Sequence, residues 1–358
     1  CEIDGRKYHV VAGRVSHAVA NPTWDPIAKP GALHDYFRGN PEGRSPLDML
    51  KDREPLPAEY MDRDARVAKI AEHGLDAVWL FPTLGVLYEE LVKEDIEATK
   101  VLFRAFNRWL DEDWGCNYQD TIYAAPYISL CDPEFAVEEL EWALDRGASV
   151  VCMRPAAVFT AGGYRSPANP MFDPFWARVN EAGIAVVVHA ADSGYSTQGY
   201  AADGFGAKFG GSSGYTPSIK AFSIERAALD WLITLSLEKL YERFPNLRIA
   251  SVENGSSFLP DLFRKLPQQQ TKLLGWFKED PLEQFKEHVW INPFWEDDPH
   301  EVAACMGAER VIFGSDWPHI EGMPRPLDYA VELKDFSDAD RKRILRDNVV
   351  ELNTIRPA

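Results

Sequence analysis

One unit of punctuation recurs along this chain and limits what it can fold into. An Asp-Pro pair is followed by apolar residues at helical spacing, then a glycine, then a short apolar run without alternation. Asp132-Pro133 opens the clearest case, with Ala136, Val137, Leu140 and Leu144 on one helical face, Gly147 as the stop and an apolar run over 148–154. Asp173-Pro174 opens a second, closed by Gly183 and followed by a run that ends in Val186-Val187-Val188-His189. Asp298-Pro299 opens a third, closed by Gly307 ahead of Val311-Ile312-Phe313. A fourth starts at Asp62 without the proline and runs through Val67, Ile70 and Ala71 to Gly74 and the run 77–81. Aspartate at the cap accepts from the first free helix amides, and proline at the first helical position has no amide to waste. Glycine takes the left-handed backbone that ends a helix. Runs that are apolar on both faces are what parallel strands covered by helices require.

Apolar runs of this kind fall at 77–81, 121–130, 149–154, 184–189, 248–253, 289–293 and 310–316, with helices between them, the longest around 225–244 and 257–274. The expected fold is α/β, a (β/α)8 barrel over 62–358, with 1–61 as a loop-rich extension over it. The count is one short of the eight strands that close such a barrel, so the first strand is expected upstream of Cys1. A flavodoxin-like open sheet is the alternative, but it uses fewer strands and does not explain polar residues at so many strand ends. The length of 358 residues suits one barrel with decorated loops. No strand leads into G-x-G-x-x-G, which argues against a dinucleotide-dependent dehydrogenase.

Charge removes other classes of function. With 38 basic against 56 acidic residues the net charge is −18, which argues against nucleic acid and anionic membrane as partners. A small-molecule substrate is expected instead. The cysteines (Cys1, Cys116, Cys131, Cys152 and Cys305) are scattered without a CxxC pair, as for free thiols in a cytoplasmic protein.

Catalytic groups of this fold sit at the C-terminal ends of its strands. Those ends carry Thr83, Arg154, His189, Glu253-Asn254, Asn292 and Asp316-Trp317-Pro318-His319. A histidine and two acids converging on one mouth is a donor set for a divalent cation. Singly, each has a plainer reading: His189 as a satisfied core histidine, Asp316 as a cap, Glu253 paired with an arginine, Arg154 bracing a loop. Their coincidence at the same end of successive strands favours a site. The Gly/Ser/Tyr-rich stretch 193–218 directly after His189 is expected to act as a lid.

Three of these segments resemble a known family. Val187-Val188-His189, Gly314-Ser315-Asp316-Trp317-Pro318-His319 and the glycine-rich turn from Val252 through Glu253-Asn254-Gly255 to Pro260 are similar to the amidohydrolase-related family. That family contains aminocarboxymuconate-semialdehyde decarboxylase and the resorcylate decarboxylases. The resemblance implies a metal-dependent barrel enzyme with His189 and Asp316 as metal ligands, zinc first and manganese or another divalent ion as alternatives, and a homodimer or higher homo-oligomer. The family's first-strand ligand pair has no counterpart here. Family decarboxylases place a histidine at the strand-six turn where this chain has Asn254 beside Glu253. An amide cannot move a proton near neutrality, whereas a carboxylate can.

The expected reaction is therefore hydrolysis of an amide or ester in a small aromatic or carboxylic substrate. Asp316, Glu253 and His319 are the catalytic candidates, and Arg154, Asn254, Asn292 and Trp317 the substrate-binding ones. The alternatives are non-oxidative decarboxylation of an aromatic or enoic acid, and a metal-free binding protein on the same barrel. Tyr215, Phe294, Trp295 and Trp317 are candidates for an aromatic lining.

Overall fold

The structure is a computed structural model that describes residues 1–19, 25–82, 84–199, 201, 219–294 and 297–358. Thr83, Tyr215, Trp295 and most of the expected lid (200 and 202–218) lie outside the described residues.

The apolar runs form a parallel succession in chain order. Val150–Met153, Ala185–His189, Arg248–Val252 and Val289–Ile291 make one sheet, in register through Ala185↔Val150, Ala185↔Arg248 and Ile249↔Val289. Val78–Leu80 pairs with Ile122–Ala124, and the chain beyond that strand reaches the sheet through the Tyr127↔Cys152 bridge. At the far side Val311 bridges to Ile291. No strand joins Val311 to Val78–Leu80 among the described residues, so the eighth staff of the barrel has no counterpart there. The N-terminal segment makes only short antiparallel pairs, Glu2–Ile3 with Arg6–Lys7, His9–Val11 with Arg14–Ser16 and Ile27–Ala28 with Arg53–Glu54.

Successive strand residues point to opposite faces, and the core divides accordingly. Val150, Cys152, Ala185, Val187, Ala250, Val252, Trp290 and Ile312 pack together inside the ring. Val151, Met153, Val186, Val188, Ile249, Ile291 and Val311 pack outward against helices that include Phe175, Trp176 and Val179. Both clusters are buried, which is why these strands show no polar alternation.

Two of the sequence-derived strands are shorter than expected. In 121–130 the regular strand stops at Ala124, because Pro126 has no amide to give the ladder. The pairing resumes as the Cys152 amide donates to Pro126 O (2.8 Å) and the Ile128 amide donates to Cys152 O (2.8 Å). In 310–316 the Ile312 amide still donates to Ile291 O (2.9 Å), but the Phe313 amide turns away to Ile344 O (3.0 Å). Asp316 then adopts φ 53°, which ends extended backbone.

Three of the four caps are as expected. Asp62 accepts from the Ala65 amide, Asp132 from those of Glu134 and Phe135, and Asp298 from that of His300. Asp173 does not cap. The turn Pro170–Phe172 runs straight into helix Asp173–Ala182, Asn169 caps that turn, and Asp173 instead accepts from Arg243 Nη1 at 2.9 Å. Asp280-Pro281 is a further cap of the same kind, at the Leu282 amide. Gly183 ends its helix at φ 65°, where a Cβ would stand 1.9 Å from Arg356 O.

This difference is measurable. Asp132→Ala and Asp298→Ala should each lower unfolding free energy by about 1 kcal/mol, the usual value of a lost cap. Asp173→Ala should lose only its half-exposed ion pair, about 0–1 kcal/mol. Equal losses in urea titrations of all three variants would contradict the assignment.

Candidate functional site

Strand periodicity sets the rim. Residues 150 and 152, 185 and 187, and 290 face the barrel interior, so Arg154, His189 and Asn292 continue that face at the mouth. His189 ends Ala185–His189 with its side chain 7% exposed. Its Nδ1 lies 2.8 Å from Ala190 O, an acceptor only, so Nδ1 carries the hydrogen and Nε2 is presented to the mouth. Nε2 faces Glu253 Oε1 at 3.3 Å.

Periodicity alone would turn Asn254 inward and Glu253 outward. The backbone reverses this: Glu253 adopts φ 58° and Gly255 φ 74° directly after strand Arg248–Val252. Glu253 is thereby brought to the mouth. Asn254 drops beneath it, buried, and its Nδ2 donates to Val188 O (2.8 Å) and Ser251 Oγ (3.1 Å). The Glu253 amide donates to Asn292 Oδ1 at 3.4 Å, and Asn292 Nδ2 donates to Ile312 O at 3.2 Å. Asn292 thus ties the turn to the neighbouring strand.

Asp316 is the second non-glycine residue with positive φ at this rim, at 53°. Its loop is closed by Met323 N donating to Ser315 O (2.9 Å) and His319 N to Asp316 O (2.8 Å). Gly322 must be a glycine here because a Cβ would stand 2.4 Å from Asp316 O. From outside, the Gly31 amide donates to His319 O (3.0 Å) and the Leu33 amide to Ile320 O (2.7 Å). Trp317 turns away from the acids, with its ring 4.9 Å from that of His73 and Arg66 at 4.8 Å over its face.

The result is a compact donor cluster. Ligand atoms of Glu253, Asp316 and His319 lie within 4.8 Å of one another, and His189 adjoins them through Glu253. His319 Nδ1 donates to Asp316 Oδ1 at 2.7 Å, with the imidazole 33% exposed toward solvent. Asp316 Oδ2 is buried and has no hydrogen-bond partner among the described residues. Burial raises the Asp316 carboxyl most. The His319 hydrogen bond pulls it back and the Glu253 charge pushes it further, leaving it at about 7. Burial acts on Glu253 in the same direction, but His189 outweighs it by charge and hydrogen bond and holds that carboxyl below its ordinary range. Of the two adjacent acids, Asp316 is therefore the one pushed toward its protonated form. Burial opposes charge on His189, yet Glu253 and the Ala190 carbonyl raise it; burial likewise opposes His319, which Asp316 lifts to about 9.

These residues fit a divalent cation. Two carboxylates and two imidazoles are a hard-to-borderline donor set. A buried carboxylate oxygen with no partner among the described residues, and an imidazole whose Nδ1 is committed to Ala190 O so that Nε2 faces the mouth, are what such a site requires. Glu253 stands in the cluster of possible ligands, whereas the sequence reading named His189 and Asp316 as ligands and put Glu253 first as a catalytic group. The signal was present in Val252-Glu253-Asn254-Gly255, where an acid preceding a glycine at a strand end marks a turn able to re-aim it.

Arg154 stands apart from the cluster's hydrogen bonds. Its Nε donates to Glu89 Oε2 (3.1 Å), and its Nη1 to Glu90 Oε2 (2.8 Å) and Asp192 O (2.7 Å). Glu89 also accepts from the Tyr127 and Ser129 hydroxyls. Neither glutamate was singled out in the sequence. The signal was Glu89 standing where helix Gly85–Val92 buries Val86 and Val92.

Residues 47–352 match the amidohydrolase family. The chain is similar to an amidohydrolase from Mycobacterium avium subsp. paratuberculosis K-10, with 40% identity over 99% of this chain and 90% of that one and a TM-score of 0.91. The fold is also that of a dihydroxybenzoic acid decarboxylase from Polaromonas sp. JS666 with bound manganese (18% identity, 92% and 97% covered, TM-score 0.64). A 5-carboxyvanillate decarboxylase from Novosphingobium aromaticivorans, also complexed with manganese, shares it (17% identity, 81% and 79% covered, TM-score 0.60). No curated protein matches. The expectation of zinc is corrected by these structures, whose metal is manganese. The reason it went astray is physical, since a mixed carboxylate and imidazole set suits either ion and sequence does not choose between them. No helix among the described residues is long and apolar enough to cross a membrane.

Two adjacent acids on left-handed backbone are there at the expense of stability. Asp316→Asn keeps the shape, suits positive φ and removes the charge. It should stabilise the chelator-treated protein by about 0.5–2 kcal/mol, as active-site neutralisations do. A lower denaturation midpoint would instead make Asp316 a structural residue.

Proposed function

This chain belongs to the amidohydrolase family, and from that premise we propose that it is a manganese-dependent carboxy-lyase that releases CO2 from a small aromatic or enoic acid. The observation that carries the reading is the cluster at the mouth, where ligand atoms of Glu253, Asp316 and His319 lie within 4.8 Å of one another and His319 Nδ1 donates to Asp316 Oδ1 at 2.7 Å. Non-oxidative decarboxylation breaks the bond between ring carbon and carboxylate, and the electron pair left on carbon must take up a proton. The Asp316–His319 pair, joined at 2.7 Å with the imidazole open to solvent, is suited to deliver it. The bound metal supplies positive charge for the substrate's oxygen atoms. His189 and Asp316, with Glu253 beside them, would hold it.

The substrates of the dihydroxybenzoic acid and 5-carboxyvanillate decarboxylases support a phenolic acid, and the finer likeness to aminocarboxymuconate-semialdehyde decarboxylase is part of the same proposal. Asn292 serves by fixing the Glu253 turn. Hydrolysis of an amide or ester is the second reading, favoured by the description of the 40%-identical relative as an amidohydrolase. There Glu253 would take a proton from water in place of Asp316 giving one to carbon. We propose also that 1–61 forms an extension that steadies the His319 loop through Gly31 and Leu33.

Chelated enzyme should lose activity on phenolic acids and regain it with Mn2+, with CO2 release measured directly. His189→Ala and Asp316→Ala should abolish metal-dependent turnover without unfolding the protein. Glu253→Gln should slow turnover by about 10²–10⁴-fold if it moves the proton, and should strip Mn2+ if it is a ligand. Turnover of amides or esters without any CO2 from phenolic acids would exchange the two readings.

A further inference from the structure

Three segments that follow strands of the barrel come together around Glu90, a carboxylate outside the donor cluster. Helix Gly85–Val92 follows the first described barrel strand, hairpin Val158–Thr160/Gly163–Arg165 follows Val150–Met153, and 190–199 follows His189. Glu90, on the helix, accepts from Arg154 Nη1 at 2.8 Å. Glu90 also accepts from Lys93, whose Nζ in turn reaches the Tyr164 hydroxyl of the hairpin at 2.7 Å and lies over its ring. The same Arg154 Nη1 donates to Asp192 O at 2.7 Å, in the loop after His189. Two residues on, Gly194 has φ 85°, and a Cβ there would stand 2.7 Å from Glu90 Oε1. The loop backbone is therefore in contact with Glu90 from one side and tied to Arg154 from the other.

The charges in this node are accounted for internally. Arg154 and Lys93 face Glu89 and Glu90, all four with side chains no more than 15% exposed. Burial works against the charge on Arg154, and Glu89, Tyr127 and Glu90 outweigh it, so the guanidinium is held above its ordinary value. A substrate carboxylate seeking Arg154 would have to displace a buried partner and leave that partner's charge uncompensated.

We infer that Glu90 is a positioning residue: through Arg154 and Gly194 it holds the loop 190–199 against helix Gly85–Val92, and so fixes the backbone that aims His189. Arg154 then acts as a brace for the site and not as the clamp for a substrate carboxylate. The inference rests on the proposed metal site only for its functional consequence; the clamp itself is a statement about three loops.

The test uses the full chain and two readouts. Amide hydrogen exchange across 190–199 should rise by about tenfold or more in Glu90→Gln, with exchange in strands Val150–Met153 and Arg248–Val252 unchanged. Mn2+ affinity, read from free Mn2+ by electron paramagnetic resonance, should fall by about 10–100-fold, the range for groups that orient ligands. Gly194→Ala should loosen the same loop, and adding Glu90→Gln to it should give little further loss, because both variants break one contact. This non-additivity keeps the test decisive where either single variant is weakly folded, since two unrelated structural losses would add. Unchanged exchange in 190–199 with either single variant, or exchange that rises uniformly across the strands, overturns the inference. Asp316→Ala is measured in parallel. If it binds Mn2+ normally, the metal site is wrong; if it loses Mn2+ while the Glu90 and Gly194 variants behave as wild type, only the clamp is wrong.

Discussion

Glu253 and Asp316 are two carboxylates with ligand atoms within 4.8 Å of each other at the top of a barrel, and most of what surrounds them offsets that proximity. Two buried acids cannot both ionise freely, so a proton or a cation has to lie between them. The protein divides the burden unequally. Glu253 has the His189 imidazole facing it and is held below its ordinary range, while Asp316, whose second oxygen has no partner among the described residues, is raised. An arrangement in which one acid is neutral and the other charged at the same pH is a means of separating the roles of two chemically similar groups.

The backbone bears a second part of the cost. Both acids sit at left-handed φ, where residues with a Cβ are disfavoured, and such conformations persist only where neighbours over-determine them. Those neighbours are identifiable. Asn292 accepts from the Glu253 amide and spans to Ile312, while Asn254 anchors the same turn to Val188. Gly322 allows the returning loop to lie on the Asp316 carbonyl, and Gly31 and Leu33 hold that loop from the N-terminal side. The interior of the barrel supports all of it, since Val187 and Val252 pack one residue or two below His189 and Glu253 in the inner core.

Much of this was legible in sequence because it depends on local rules. The alternation of Asp-Pro, helix, glycine and apolar run fixed the parallel strands, and strand-end parity placed Arg154, His189 and Asn292 at the mouth. What was not legible depends on long-range pairing or on backbone reversal. Whether Asp173 caps or pairs with Arg243 turns on a residue 70 positions away. Arg154 reads as a free cation until Glu89 and Glu90, 65 and 64 positions earlier, are seen to occupy it. The left-handed turn at Glu253 exchanges the directions of Glu253 and Asn254, which an alternating pattern cannot register.

The occupation of Arg154 bears on the proposed reaction through charge alone. A chain of net charge −18 offers an anionic substrate an unfavourable field, and the obvious cation at the rim is already committed to two glutamates. Within the cluster, the imidazoles of His189 and His319 are opposed by Glu253 and by whatever charge Asp316 retains. That leaves little net attraction for a carboxylate. Under the proposed decarboxylation, the attraction for the substrate would come from a divalent ion that the same acids and imidazoles would hold, because an uncompensated anion beside part-buried acids is costly. Metal dependence then belongs to binding as well as to chemistry. The acids that would hold the metal are also what make it necessary.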